Sequence, residues 1–248
     1  MAKYDGYFFD DKYEGDGRYN YENGQYYIGH WSKGKRHGEG KLYSKNNKII
    51  YDGYFVDDKF KGNGRLNYEN REYYIGKFSN NKNHGQGKLY YNNWKIKYDG
   101  IFCNGKKEGK GKEYYKNGDL QYDGHFANDK KEGTGKYIFA NGEYYEGEFL
   151  NDKMEGQGKI YYINGELKYD GDFVNDKAEG KGKYIFENGD YYIGQFSNNN
   201  KHGEGIAYSK DGTVIYEGSF VDDEPSGYCL IFWNKVLLEF FLIILKNL

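Results

Sequence analysis

Residues 145–159 read Tyr-Glu-Gly-Glu-Phe-Leu-Asn-Asp-Lys-Met-Glu-Gly-Gln-Gly-Lys, and variants of this stretch fill the chain from residue 4 to about 227. The triplet Tyr-x-Gly returns every 23 or 24 residues, at Tyr4, Tyr27, Tyr51, Tyr74, Tyr98, Tyr122, Tyr145, Tyr169, Tyr192 and Tyr216. An aromatic residue stands four positions after each tyrosine, at Phe8, Trp31, Phe55, Phe78, Phe102, Phe126, Phe149, Phe173, Phe196 and Phe220. Similarity at a fixed period of this length indicates a repeat array.

A single unit already predicts a β-hairpin. Positions 51–56 alternate with the two-residue period of a strand, which puts Tyr51, Gly53 and Phe55 on one face. A glycine between two rings leaves room for a neighbouring ring to lie across the backbone. A polar loop then leads to a second strand at about 62–68. Because connections this short cannot make a parallel crossover, we expect an antiparallel sheet.

Two details of the hairpins follow from turn chemistry and spacing. The Asn-Gly and Asp-Gly pairs between units predict turns with positive φ. We interpret the spacings of 23 and 24 residues as turns that differ by one residue. Which face the second strand shares with the first stays open, because one bulge would invert it.

These units resemble MORN (membrane occupation and recognition nexus) repeats. The resemblance rests on Tyr145–Phe149 followed by Glu155–Lys159, and on the fuller matches at 37–40, 84–87 and 202–205, which read His-Gly-Glu-Gly or His-Gly-Gln-Gly. It covers residues 4–227 as ten repeats of 23–24 residues. The resemblance implies an all-β fold, an elongated single-layer antiparallel sheet of ten tandem hairpins.

Composition excludes several other classes. The 37 glycines have no three-residue period and there is 1 proline, which excludes collagen. A net charge of −2 gives no reason to expect nucleic acid, and 31 tyrosines supply enough buriable surface to argue against disorder. Cys103 and Cys229 form no disulfide framework, and residues 1–6 contain no apolar signal region. We therefore expect a cytoplasmic protein.

Catalytic, metal and cofactor sites are not predicted. The stretches 29–36 and 100–107 approach a phosphate-binding loop but lack its Ser or Thr and fall in the register of the repeat. His37 and His84 should stand roughly 19 Å apart, too far to share one ion, and His30 and His125 are isolated. Acids such as Asp52 recur in register without a unique partner. We predict a protein that is not an enzyme and binds no cofactor.

A basic residue follows most of the Gly-x-Gly pairs and forms a candidate lipid-binding row: Arg18, Lys41, Arg65, Lys88, Lys112, Lys136, Lys159 and Lys183. In equivalent units these cations would stand about 10 Å apart on one face. Each cation near an acidic membrane contributes about 1 kcal/mol. The alternative is that they pair with nearby carboxylates, which the balanced charge favours.

The ten aromatic residues from Phe8 to Phe220 named above are candidate partner-docking residues. Their alternative role is structural, since aromatic rings stabilise sheets by packing across strands. A one-layer sheet cannot hide both faces from water, so part of this surface should be open to a protein partner.

The tail from 228 to 248 is apolar. Residues 228–233 can form the second strand of repeat 10, and the ten-residue run 236–245 is too short to span a membrane. The first expectation is a strand or helix that caps repeat 10. A peripheral membrane or oligomer contact and a misread coding end are the alternatives. The N-terminal repeat is predicted to be an open edge for self-association.

The leading functional prediction is a non-enzymatic scaffold that binds protein partners and forms a homodimer end to end. The resemblance implies such roles at cytoskeletal structures, cilia and membrane junctions. One alternative is a peripheral protein that binds acidic phospholipids, such as phosphoinositides, through the basic row. Another is a regulatory array similar to the MORN regions of phosphatidylinositol phosphate kinases, without a catalytic domain.

Overall fold

Each repeat supplies two strands, so that hairpin follows hairpin along the chain. The computed structural model describes residues 3–226, 230–233 and 236–239, the last two ranges by their backbone alone. Two units divide the chain, Met1–Lys130 and Lys131–Leu248. In the first unit the strands are β1 (Tyr4–Phe9), β2 (Lys12–Asn20), β3 (Tyr26–Ser32), β4 (Lys35–Tyr43), β5 (Ile49–Val56), β6 (Lys59–Asn67), β7 (Tyr73–Ser79), β8 (Lys82–Tyr90), β9 (Ile96–Cys103), β10 (Lys106–Tyr114) and β11 (Leu120–Ala127).

The second unit continues the same pattern. Its strands are β12 (Lys130–Ile138), which begins one residue before the unit, β13 (Tyr144–Leu150), β14 (Lys153–Tyr161), β15 (Leu167–Val174), β16 (Lys177–Ile185), β17 (Tyr191–Ser197), β18 (Asn200–Tyr208), β19 (Val214–Val221) and β20 (Glu224–Ser226). Strands β1 to β20 belong to one open antiparallel sheet of 20 strands. The described residues contain no helix, and so none that is long and apolar enough to cross a membrane. The predicted all-β sheet of hairpins is confirmed.

The turn inside each repeat is a two-residue turn with both residues at positive φ. In repeat 3 these are Asp57 and Asp58, at 46° and 68°. Asn and Asp tolerate this conformation better than most residues, and such turns suit the twist of a hairpin. The sequence predicted positive φ only between repeats, where it is confirmed at glycines such as Gly24 (82°). In that turn Asn47, Arg71 and Trp94 adopt the same conformation without being glycine.

A bulge in each hairpin settles the face shared by the two strands. In β5 and β6, Gly53 faces Gly64 and Phe55 faces Phe60, with a register shift between the two pairs. Gly62 has a φ of 63° at that point, which accommodates the bulge. Gly64 therefore lies on the face of Tyr51 and Phe55, which we call the aromatic face. The basic residue after each Gly-x-Gly pair lies on the opposite face, the polar face.

The explanation of the 23- and 24-residue spacings by turn length is wrong. The turns between repeats have equal length: Tyr21 N–H donates to Gln25 O before a 23-residue repeat ends, and Ser44 N–H donates to Lys48 O in a 24-residue one. The extra residue, Ile50 in repeat 3, sits in a β-bulge directly after the turn. Register shifts occur at this place in the 24-residue repeats of both units, at 42/43, 89/90, 113/114, 160/161 and 207/208.

The C-terminal tail differs from the prediction for repeat 10. Its second strand is the short β20, whereas β21 (Leu230–Trp233) pairs antiparallel with β22 (Val236–Glu239). The backbone of β21 lies near β19. Residues 227–229, 234–235 and 240–248 lie outside the described residues, so most of the predicted cap does too.

Candidate functional site

Each core tyrosine lies flat across a pair of glycines. The ring of Tyr74 in β7 comes within 2.2–2.7 Å of where the Cβ atoms of Gly76 and Gly87 would stand. These two glycines face each other between β7 and β8. Any side chain at either position would overlap the ring, so packing alone requires glycine there. The sequence predicted room for a ring over the glycine, and the ring that uses it is the tyrosine of the same strand.

The rings form a continuous zigzag within each unit. Tyr74 meets Phe78 of its own repeat and Phe102 of the next, each at 5.1 Å between ring centroids and nearly perpendicular. The same two contacts recur in the second unit, where Tyr169 meets Phe173 at 5.2 Å and Phe196 at 5.1 Å. Edge-to-face pairs of this kind contribute about 0.5–1.5 kcal/mol beyond the area that they bury.

Burial separates the ten candidate docking rings into two groups. Nine are at most 5% exposed: Trp31, Phe55, Phe78, Phe102, Phe126, Phe149, Phe173, Phe196 and Phe220. Phe8 is 52% exposed. Because the nine rings are covered by tyrosines of their own and the preceding repeat, they hold the sheet together, and the geometry favours their structural role. Phe8 alone offers its ring to a partner.

The hydroxyls of the core tyrosines are structural. Tyr74 Oη donates to Lys77 O at 2.9 Å, and Tyr192 Oη donates to Gln195 O at the same distance. Burial raises the pKa of Tyr74 and of Tyr192 to about 12. Hydroxyls that keep their protons at neutral pH and are committed to backbone carbonyls supply no general base.

A two-point clamp ties each repeat to the one before it. Asn81, the second turn residue of repeat 4, donates its N–H to Phe60 O and accepts the Phe60 N–H on Oδ1 at 2.7 Å. The same side-chain bond joins Asp58 to Arg36, Asp129 to Lys107, Asp152 to Lys131, Asp176 to Met154, Asn199 to Ala178 and Asp223 to Lys201. Gly34 and Gly105 keep only the main-chain bond. The sequence analysis missed the clamp, although Asp or Asn at this turn position was its visible signal.

The basic row lies on the polar face, where it alternates with acids. Directly opposed residues of the first unit read Asp5, Arg18, Ile28, Lys41, Asp52, Arg65, Ile75, Lys88, Asp99, Lys112 and Asp123. Five cations of the row are within 3.0 Å of a carboxylate: Lys41–Asp52, Lys88–Asp99, Lys112–Asp123, Lys136–Glu146 and Lys159–Asp170. The paired carboxylates raise the pKa of Lys41, Lys88, Lys112 and Lys159.

The other cations of the row lie over tyrosines of the polar face. The Arg18 guanidinium is 4.1 Å from the ring centroid of Tyr26, and that ring stacks on Tyr43 at 4.6 Å. Arg65 on Tyr73, Lys136 on Tyr144 and Lys183 on Tyr191 repeat the arrangement. All eight candidate lipid-binding residues thus have partners within the chain. The structure favours the pairing alternative, because alternating signs weaken attraction to an acidic surface.

The near misses of a phosphate-binding loop are hairpin turns. Residues 29–36 run through the turn between β3 and β4, and residues 100–107 through the turn between β9 and β10. Such loops bind phosphate with the backbone amides that precede a helix, and a strand follows here. Among the described residues no group of three metal-ligating side chains comes together. His30 contacts Asp16 at 3.2 Å and His202 contacts Asp222 at 3.8 Å, both at exposed positions.

An open groove of about 570 Å³ crosses the aromatic face of the second unit. Its walls include Tyr184, Phe186, Tyr192 and Ile215, and Ala207 lies beside them. Repeats 2, 3 and 4 place Leu42, Leu66 and Leu89 where repeat 9 has Ala207. The smaller side chain leaves space, and Phe186 and Ile215 are left partly exposed. A sequence signal existed in that single alanine, but only the packing shows its effect.

Charged groups line the same groove. Lys201 Nζ stands 5.4 Å from the ring centroid of Phe220 and 5.7 Å from that of Phe186. Lys168 pairs with Glu143 at 2.7 Å, and Glu187 and Asp190 lie at the rim. The groove therefore combines aromatic walls with a few polar groups, a composition typical of binding clefts.

Comparisons with known proteins point to one family. A solved structure titled as the SAS-4 (dCPAP) TCP domain in complex with a proline-rich motif of Ana2 (dSTIL) of Drosophila melanogaster matches with 14% identity and a TM-score of 0.27, over 80% of this chain and 86% of that chain. A likeness that weak carries no argument. No curated protein matches the sequence.

The family model described as MORN repeat matches ten consecutive segments: 4–26, 27–48, 51–72, 74–96, 98–120, 122–144, 145–166, 169–191, 192–214 and 216–235. These segments cover most of the chain, and they coincide with the hairpins of the sheet. The chain therefore belongs to the MORN repeat family.

Proposed function

We propose that this protein is a non-enzymatic scaffold that binds a protein partner in the groove of its second unit. The observation that supports the proposal is the contrast on the aromatic face, where rings elsewhere cover one another and here leave an open cleft of about 570 Å³. A cleft of this size accepts a few side chains of an extended segment. The partner inserts apolar side chains between Phe186 and Ile215.

The polar face supports a scaffold and not a catalyst. Its acids recur in pairs with lysines, as in Lys41–Asp52 and Lys159–Asp170, and none is set apart with a partner of its own. Binding of acidic phospholipids is the weaker proposal, because the row that would carry it is neutralised within the chain. A cytoplasmic setting, at a cytoskeletal or ciliary structure or at a membrane, remains part of the proposal.

Proximity labelling in cells, followed by binding of the purified pair, tests the proposal. The groove variant carries Phe186→Ser with Ile215→Ser. The matched control carries Ile28→Ser with Ile75→Ser, which removes two similarly exposed side chains from the polar face. We expect an identified partner to label with wild type and the control and to lose most of its affinity for the groove variant.

Two results would count against the groove. Equal partner binding by all three proteins, with folding confirmed by circular dichroism, would remove it as the binding site. Flotation of the wild type with acidic vesicles, abolished by Lys→Glu changes at Lys41 and Lys88 and not by the groove variant, would favour the lipid function instead.

A further inference from the structure

The first strand lacks everything that an interior strand receives from the repeat before it. Interior Phe55 is covered by Tyr27 of the preceding repeat at 5.0 Å, and Gly53 and Phe55 pair with Gly40 and Gly38 of β4. Within the described residues no strand pairs with the outer edge of β1. Phe8 is 52% exposed, and its neighbours Tyr7 and Phe9 are 62% and 65% exposed.

This edge is ready to accept a strand. Lys3 O accepts a hydrogen bond from Asn20 N–H in β2. Because the amide groups of successive residues in a strand point to opposite sides, those of Tyr4 and Gly6 point toward the free edge. An unpaired edge bearing exposed rings invites pairing with another chain. Interior strands limit their exposure through the next repeat, and β1 has no such cover among the described residues.

We propose that β1 pairs antiparallel with β1 of a second copy of this chain, about a two-fold axis at Gly6. In that register Gly6 faces Gly6 of the other copy, as glycine faces glycine at each interior boundary between repeats described above, such as Gly17 with Gly29. Tyr4 then stands opposite Phe8 of the second copy, and Phe8 opposite its Tyr4. Each copy gives the other the tyrosine–phenylalanine contact that its own first repeat lacks.

Charge and symmetry favour a second copy over an unrelated strand. The same register places Lys3 of one copy beside Phe9 and the Asp10 turn of the other, so a cation meets a ring and an acid. The contact is isologous, and both open edges are used at once, which closes the assembly at a dimer. Asp5 lies opposite Tyr7 of the second copy, twice.

Charge changes at Tyr7 test this register. Its side chain is exposed, so neither Tyr7→Glu nor Tyr7→Lys disturbs the core. Tyr7→Glu creates two like-charge pairs with Asp5, and we expect dimer dissociation to rise about tenfold. Tyr7→Lys creates two opposite pairs and leaves the dimer as tight or tighter. Tyr54→Glu, at the same repeat position but inside the array, is the matched control and leaves the dimer unchanged.

Sedimentation velocity of the whole chain over a range of concentrations provides the measurement. A dimer that responds to Tyr7→Glu, is retained by Tyr7→Lys, and is unaffected by Tyr54→Glu supports the inference. Recovery of the dimer in the double variant Asp5→Lys/Tyr7→Glu supports it further. A monomer at every concentration, equal dimers for Tyr7→Glu and Tyr7→Lys, or assemblies that grow beyond two chains would overturn it.

Discussion

Phe55 and Phe8 occupy the same position in two repeats and have opposite fates. Phe55 is fully buried, whereas Phe8 is about half exposed. Both have a tyrosine of their own repeat beside them, Tyr51 at 5.1 Å and Tyr4 at 5.0 Å. The difference lies in the preceding repeat, which gives Phe55 the ring of Tyr27. Burial in this array is thus a property of pairs of repeats and not of one repeat.

This comparison implies that stability is a sum of neighbour interfaces. A repeat contributes its rings, and the next repeat covers them, so no single hairpin can form its own core. The clamp adds hydrogen bonds to the same boundary, for example between Asn81 and Phe60. Changes at a boundary should therefore cost more than the same changes at the open first strand.

The largest expected effect is alkaline unfolding, because every interior boundary contains a buried tyrosine. Burial raises the pKa of Tyr74 to about 12, above its value of 10.0 in the unfolded chain. Stability from this shift is complete below pH 10 and is lost as pH rises toward 12, since the unfolded chain releases its protons first. Absorbance of tyrosinate followed with circular dichroism should show the core tyrosines ionising together with unfolding. Ionisation of all tyrosines in a protein that stays folded would contradict the account.

Removing a ring should separate interior from edge. Phe78→Ala deletes a buried ring that contacts Tyr51 and Tyr74, and we expect a loss of about 3–5 kcal/mol. Phe8→Ala should cost less than about 1 kcal/mol, because that ring is largely in water already. Chemical denaturation of both variants gives the comparison. Equal losses would mean that the preceding repeat does not determine burial.

Two glycines of one strand should differ in the same way. A Cβ at Gly87 would stand 2.2 Å from Tyr74 Oη, so Gly87→Ala should destabilise by about 3 kcal/mol through overpacking. Gly85 has a φ of 64° and open space around it, so Gly85→Ala should cost only about 1 kcal/mol of backbone strain. Thermal unfolding of the pair measures the difference. A larger loss for Gly85→Ala would contradict the role given to the tyrosine.

The smallest expected effect is a gain at a turn between repeats. Trp94 adopts a φ of 65° and is 78% exposed, where other repeats have glycine. Trp94→Gly should stabilise by about 0.5–1 kcal/mol, because glycine takes this conformation without strain. Gly212→Ala, at the equivalent turn position, should destabilise by about 1 kcal/mol. If both changes destabilise, strain at this turn is not what separates the repeats.

Sequence periodicity predicted the repeat, the antiparallel hairpins and the glycine that accommodates a ring, because these depend on residue spacing alone. It did not predict the bulge at Ile50, since an extra residue in a turn and one in a strand give the same spacing. The face of the second strand stayed open for a related reason: the bulge at Gly62 shows in coordinates and not in composition.

The candidate site was less predictable than the fold. A regular series of cations indicated a basic row, but its effect depended on which residues stand opposite, such as Asp52 beside Lys41. The aromatic candidates were found correctly as a series, yet their exposure is set by neighbouring repeats. The groove beside Ala207 depends on the absence of side-chain volume at one position, which no periodic pattern displays.

A double-mutant cycle across one boundary tests the central claim most directly. Tyr74→Leu and Phe102→Leu, singly and together, isolate the contact between adjacent repeats, which is 5.1 Å between ring centroids. Tyr74→Leu with Phe126→Leu, whose ring is covered by Tyr98 at 5.1 Å, is the control without a shared contact. We predict a coupling free energy of about 0.5–1.5 kcal/mol for the first pair and none for the control. Absence of coupling between Tyr74 and Phe102 would contradict burial by the neighbouring repeat.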